Sequence, residues 1–202
     1  MNYEQKRFPN AGKSTLLAAL SNATPKIAPY AFTTLHPNIG VIQFSDGKGI
    51  SVADIPGLIN GAHENRGLGH DFLKHIERTK TILYVLDGAG TEDRAPHEDL
   101  ESLIQELEKY DPSLLSKRSL VFANKHDLTG DHGSDLKAAL IKETQRRGLQ
   151  LLWGSANTGE GIGELAHQLR MEILEKYEEE EQEEVEYIET EEDEDEEEEH
   201  KR

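Results

Sequence analysis

Short apolar runs alternate along this chain with stretches whose apolar residues recur at helical spacing. That alternation constrains the fold more than any other feature. A parallel pair of strands needs a crossover of about a dozen residues, usually a helix, so the pattern predicts a three-layer α/β fold with a mostly parallel sheet. Thr81 to Leu86, Ser119 to Ala123 and Leu149 to Trp153 read as strands. Asn38 to Phe44 and Gly49 to Ile55 read as two more, joined by a turn at Ser45, Asp46 and Gly47. Helices are expected over Ser14 to Leu20 and Leu68 to Arg78, around Leu100, Leu103, Ile104 and Leu107, and around Leu136, Ala139, Leu140 and Glu143. A closing helix runs from Ile162 to Tyr177.

The net charge of −18 is unevenly placed. From Glu178 onward lie 17 of the 40 acidic and 2 of the 22 basic residues, so this tail carries −15 and the rest of the chain only −3. A run of like charges cannot bury enough apolar surface to offset its ordering entropy, so residues 178–202 are expected to be a disordered tail. The tail argues against nucleic-acid binding by that segment. It is expected to be either a solubilising appendage or an electrostatic element that holds basic proteins or competes with RNA for a basic surface. The chain has no cysteine, which excludes disulfides and thiolate chemistry. It also lacks an apolar run near the roughly 20 residues of a membrane span.

Four short motifs fall at the starts of helices or the ends of strands. Asn10-Ala11-Gly12-Lys13-Ser14-Thr15 opens the first helix. Free backbone N–H groups and the helix dipole make such a helix start a phosphate site, where Lys13 adds charge near the β- and γ-phosphates and Ser14 offers a hydroxyl to Mg²⁺. Alone, the fragment is also what an ordinary capped helix start looks like. Asp54-Ile55-Pro56-Gly57 follows an apolar strand, where a carboxylate can face a metal and a glycine N–H a γ-phosphate. Asn124-Lys125-His126-Asp127 follows another; Asp127 can accept two hydrogen bonds from guanine that adenine cannot supply in that arrangement. Ser155-Ala156-Asn157 follows the last strand and can offer a backbone N–H to the guanine O6. Ligands in such sheets bind at those strand ends, and four motifs in this order point to a GTP site.

The resemblance is then specific. Phe8 to Ser14, Tyr30-Ala31-Phe32-Thr33-Thr34-Leu35, Asp54 to Ile59, Gly61-Ala62-His63, Gly67 to His70 and His75 to Thr79 together resemble the Obg family of GTPases, over roughly residues 8–176. The resemblance implies a P-loop G domain over residues 8–177, binding GTP and GDP with Mg²⁺. It implies that GTP hydrolysis switches association with the large ribosomal subunit during assembly. Lys13, Thr34 and Gly57 would act at the reacting phosphate, and Ser14, Thr34 and Asp54 would make the Mg²⁺ site. Asn10, Ala11, Gly12, Thr15, Phe32, Thr33, Ile55 and Pro56 would line the phosphates. Asn124, Lys125 and Asp127, with Ser155, Ala156 and Asn157, would select guanine.

Leu58 occupies the place where Ras-like enzymes have a water-positioning glutamine, so slow intrinsic turnover is expected. Asn10 matches a K⁺ ligand of potassium-stimulated relatives. The stretch Asn65 to Gly69 resembles eukaryotic mitochondrial members, which implies a mitochondrial location, with the cytoplasm as the alternative. A monomer is expected.

One region departs from the pattern. Arg7 stands where the phosphate loop has its first glycine, and residues 1–7, from Met1 through Lys6 to Arg7, contain no apolar run where a central strand is needed. The expectation is a chain shortened or misassembled ahead of Phe8, with a gap between the halves of the sheet and without the family's glycine-rich N-terminal domain. The alternative is a non-hydrolysing interaction protein that keeps the switch surface and the tail. The remaining candidates are duller. His70 and His75 are five apart and suggest no metal site; His126, at the variable position of its motif, is expected to carry no chemistry. Trp153 reads as core packing, and Lys74, His75, Glu77 and Arg78 as a solvated helix face.

Overall fold

The computed structural model describes residues 10–21, 26–27, 38–54, 79–91, 94–130 and 133–173. In chain order these form α1 (Lys13–Leu20), β1 (Lys26–Ile27), β2 (Asn38–Gln43), β3 (Gly49–Asp54), β4 (Thr81–Asp87) and α2 (Pro96–Tyr110). A short 3-10 turn (Pro112–Ser116), β5 (Arg118–Asn124), a second 3-10 turn (His126–Leu128), α3 (Gly133–Arg147) and β6 (Gln150–Trp153) follow. A last helix, α4, spans 162–173. The expected helix Leu68 to Arg78 and the atypical N-terminus lie outside the described residues, as does the acidic tail.

The strands form two three-stranded sheets, β1-β2-β3 antiparallel and β4-β5-β6 parallel. Among the described residues β3 and β4 are each bonded on one side only. Residues 1–9, where the sequence leaves a central strand wanting, are not described. The antiparallel half follows from its turn: Phe44 N–H donates to Lys48 O, Gly47 N–H donates to Phe44 O, and Gly47 takes φ +83°. Left-handed backbone of this kind is what glycine supplies at low cost in a short hairpin.

Alternation along the parallel strands sorts the core into two layers. Ile82, Tyr84 and Leu86 of β4 with Val121 and Ala123 of β5 face α2 and α3, where Leu100, Ile104, Leu107 and Leu140 are buried. Leu120 and Phe122 of β5, with Leu83, Val85 and Leu152, face the other way. There they meet Leu16 and Leu20 of α1, Leu165 and Leu169 of α4, and Ile42, Ile50 and Val52 from the antiparallel sheet. The second cluster therefore joins both sheets beneath α1 and α4. β5 is covered on both faces, which explains its continuous apolar run.

Local chemistry fixes the ends of the elements. Pro96 sits in the first turn of α2, with Glu98 and Asp99 beside it and Lys109 in the last turn, matching the helix dipole. α3 stops at Gly148, φ +66°, where Gly148 N–H donates to Gln145 O and Leu149 N–H to Thr144 O. This is the paired closure that glycine provides at a helix end. Among the described residues, no helix is long and apolar enough to cross a membrane.

Candidate nucleotide-binding site

The C-terminal ends of β4, β5 and β6 meet the start of α1 at one edge of the molecule. Gly12 precedes α1 with φ +77° and ψ 28°, so its carbonyl already accepts from Leu16 N–H at 2.8 Å. Among the described residues no side chain caps this helix, and no acidic residue stands in its first turn. Its leading N–H groups are thus left for an external acceptor, which suits an anion. Lys13, Ser14 and Thr15 are exposed there. Asn10 folds its Oδ1 back to accept from Gly12 N–H at 3.2 Å.

Asn124 ties this loop to the far side of the site. Its Nδ2 donates to Ala11 O at 2.8 Å and its Oδ1 accepts from Ala156 N–H at 2.8 Å. Only 2% of Asn124 is exposed. Both halves of the amide are satisfied inside the protein, as buried polar groups must be. The approach is so close that a Cβ on Gly12 would lie 2.6 Å from Nδ2.

Lys125 follows with φ 64°, the left-handed region that lysine rarely occupies. Its Nζ lies 2.8 Å from Asp87 Oδ2 and 3.0 Å from Thr91 Oγ1. Asp127 is exposed, and no described side chain engages it. His126 pairs through Nδ1 with Glu160 Oε1 at 2.9 Å, its ring centroid 5.8 Å from that of Trp153. Its N–H donates to Gly154 O.

In the loop after β6, Ser155 is fully buried and its Oγ accepts from the N–H groups of Asn157 and Thr158, both at 3.2 Å. Ser155 thus shapes the loop around its own hydroxyl. Ala156 N–H is held by Asn124, so a guanine O6 would accept from it only in competition with the Asn124 amide. Gly154 is required at its place, because a Cβ would lie 2.3 Å from Glu160 O.

Ser14 Oγ donates to Asp54 Oδ2 at 3.2 Å, bringing the first and second motifs together. Asp54 Oδ1 is buried and has no hydrogen-bond partner among the described residues. An orphaned buried carboxylate oxygen beside a hydroxyl is a donor set that fits a hard divalent cation such as Mg²⁺. No trio of His, Cys, Asp or Glu side chains gathers as a metal site among the described residues. Phe32, Thr33, Thr34, Ile55, Pro56, Gly57 and Leu58 lie outside them.

The sequence reading passed over Asp87, Thr91 and Glu160. Only Asp87 carried a signal, a carboxylate closing an apolar strand at the ligand-binding edge. His126 has a defined partner, and Trp153 packs against the core while meeting both the His126 ring and the Lys137 ammonium, 5.1 Å from its centroid.

The chain is similar in sequence and in fold to known GTPases. A family model described as 50S ribosome-binding GTPase matches residues 7–125. The GTPase Obg of Alkaliphilus oremlandii is 49% identical over 175 residues, which make up 85% of this chain and 40% of that protein. The GTPase Obg of Persephonella marina is 48% identical over 172 residues, 85% of this chain and 50% of that protein. The chain therefore spans about half or less of the length of these curated relatives. Both are bacterial and lend no support to a mitochondrial location. Among solved structures, the G domain of the T. maritima FeoB iron transporter superposes with a TM-score of 0.58 at 22% identity, covering 82% of this chain and 93% of that one. That likeness establishes the P-loop G-domain fold. By its matched residues, this chain belongs to the 50S ribosome-binding GTPase family, as a homologue of the Obg G domain.

Proposed function

We propose that this chain binds GTP and GDP through a G domain spanning residues 8–177 and hydrolyses GTP to GDP and phosphate, as a switch in assembly of the large ribosomal subunit. The observation that carries the reading is Asn124, whose one side chain links the phosphate-loop residue Ala11 to the base-loop residue Ala156. That link makes sense where a single ligand must touch both loops at once.

In this reading Lys13 and the uncapped N–H groups of α1 hold the β- and γ-phosphates, and Asp127 with the Ser155–Asn157 loop selects guanine. Ser14, Thr34 and Asp54 would hold Mg²⁺, which when bound neutralises phosphate charge. Water attacks the γ-phosphorus, the bond to the β-phosphate oxygen breaks, and Gly57 tracks the γ-phosphate that leaves. Leu58 cannot orient that water by hydrogen bonding, so turnover without a partner is slow. K⁺ near Asn10 would supply further positive charge, and turnover is expected to be faster in KCl than in NaCl.

Titration with fluorescent GDP in Mg²⁺ buffer, competed by GTP and by ATP, tests the reading. Saturable binding displaced by GTP and not by ATP supports it; no binding, or equal displacement by ATP, overturns it. Arg7 at the first glycine position favours a second reading, a non-hydrolysing interaction protein. Binding without GTP turnover under saturating Mg²⁺ and K⁺ would select that reading.

A further inference from the structure

The geometry points to Asp87 as the positioning residue that sets Lys125, and through it the affinity for guanine nucleotides. The inference rests on the proposed guanine-nucleotide site. Asp87 closes β4 and is 1% exposed, yet neither of its oxygens is idle. Oδ1 accepts from Ala89 N–H at 3.1 Å. Oδ2 accepts from Thr91 N–H at 3.2 Å, from the Thr91 hydroxyl, and from Lys125 Nζ at 2.8 Å. Thr91 Oγ1 accepts from the same ammonium at 3.0 Å, which closes a three-way cluster.

Two physical arguments give this cluster a role beyond holding a turn. A carboxylate this deeply buried is tolerable only when paired, and Lys125, whose side chain is 20% exposed, is its cation. A lysine side chain is long and flexible, and immobilising it carries an entropic cost. Here that cost is met before any ligand arrives. The left-handed backbone at Lys125 sends its side chain toward β4, while Asn124 reaches Ala11 and Ala156. Each polar residue of the motif thus has its own anchor, except Asp127, which stays exposed for a ligand. Asp87 does not itself belong to the base-selecting motif; it acts through Lys125.

A double-mutant cycle on the full 202-residue chain tests this, with GDP affinity and thermal unfolding measured on each variant. Asp87→Asn keeps an oxygen for Ala89 N–H and removes the charge opposite Lys125. It is expected to weaken GDP binding about tenfold, the usual scale for losing a hydrogen bond to a charged group. In a Lys125→Met background the same substitution should cost little further affinity, because the group it acts through is gone. Thr91→Val, which removes one anchor and leaves the carboxylate, should lose less than Asp87→Asn. Additive losses in the cycle would mean a merely structural Asp87 and overturn the inference. Unchanged or tighter GDP binding by Asp87→Asn would do the same. No GDP binding by the unsubstituted chain would overturn both this inference and the function on which it rests.

Discussion

Asn124 concentrates more of the site's architecture than any other described residue, because it bonds two loops that are far apart in sequence. Replacing it with alanine leaves the buried Ala11 O and the part-buried Ala156 N–H without their partner. Two such orphaned groups imply a loss of about 2 to 4 kcal/mol, with the spread set by how far water enters. Denaturant unfolding of Asn124→Ala reads this directly; a loss under about 1 kcal/mol would mean the two loops are held by something else. Gly154→Ala makes the complementary case, since its new Cβ would overlap the Glu160 carbonyl at 2.3 Å, a backbone atom that cannot rotate away. The loop 155–160 must then shift, and GDP affinity should fall while the fold survives. Asn124 was legible in the sequence because its motif has a fixed spacing after an apolar strand. The Asp87 cluster was not: the carboxylate closing its strand was visible, but its link to Lys125 was not, because only the fold brings that lysine across.

At the scale of elements, the conformation of a glycine decides the sign of a substitution that is chemically the same. Gly148 closes α3 at φ +66° with open space around its Cα, so Gly148→Ala has no clash to relieve and suffers only the left-handed backbone. That costs about 1 kcal/mol. Gly163 lies within α4, also in open space but without a positive φ, and Gly163→Ala should stabilise by about 0.4 to 1 kcal/mol. Thermal unfolding of the two variants should move in opposite directions. On α3 the Arg146 guanidinium, with Arg147 beside it, holds the Glu143 carboxyl at about 2, below its ordinary 4.5. A carboxyl depressed on folding contributes stability that is fully present above pH 4.5 and is lost as pH falls toward 2. Arg146 lies in solvent and the half-buried Glu143 is screened with it, so the share is small. Glu143→Gln should lower stability at pH 7 by that small share and leave it unchanged near pH 2, which flattens the acid limb of a stability-versus-pH curve in that window. The regular elements were readable from period alone, within a residue or two at most ends. β1 and the two 3-10 turns were not, since elements of two to five residues are too short to show a period.

For the molecule as a whole, the open question in the architecture is the join between its two sheets. β3 and β4 each lack a bonded neighbour on one side among the described residues, yet Val52 of β3 and Leu83 and Val85 of β4 pack against the same cluster under α1 and α4. Apolar side chains on both sides of the join stay only partly buried there. The sequence offers Asn2, Tyr3, Glu4, Gln5 and Lys6 ahead of the phosphate loop, a composition poorly suited to a strand between two apolar neighbours. Replacing these five with alternating valine and isoleucine, together with Arg7→Gly, should favour a strand at that position. Each fully buried side chain would add about 1.5 to 3 kcal/mol before entropy is counted. Even 2 kcal/mol of net gain moves the unfolding midpoint of a chain this size by about 4 to 8 °C. The phosphate loop would be anchored by the same change, so GDP affinity should rise together with the midpoint. A higher midpoint with unchanged affinity would show that the loop is already set from the other side, by Asn124. If neither moves, the two sheets are joined through their shared apolar cluster alone, and the strand position contributes nothing to this fold.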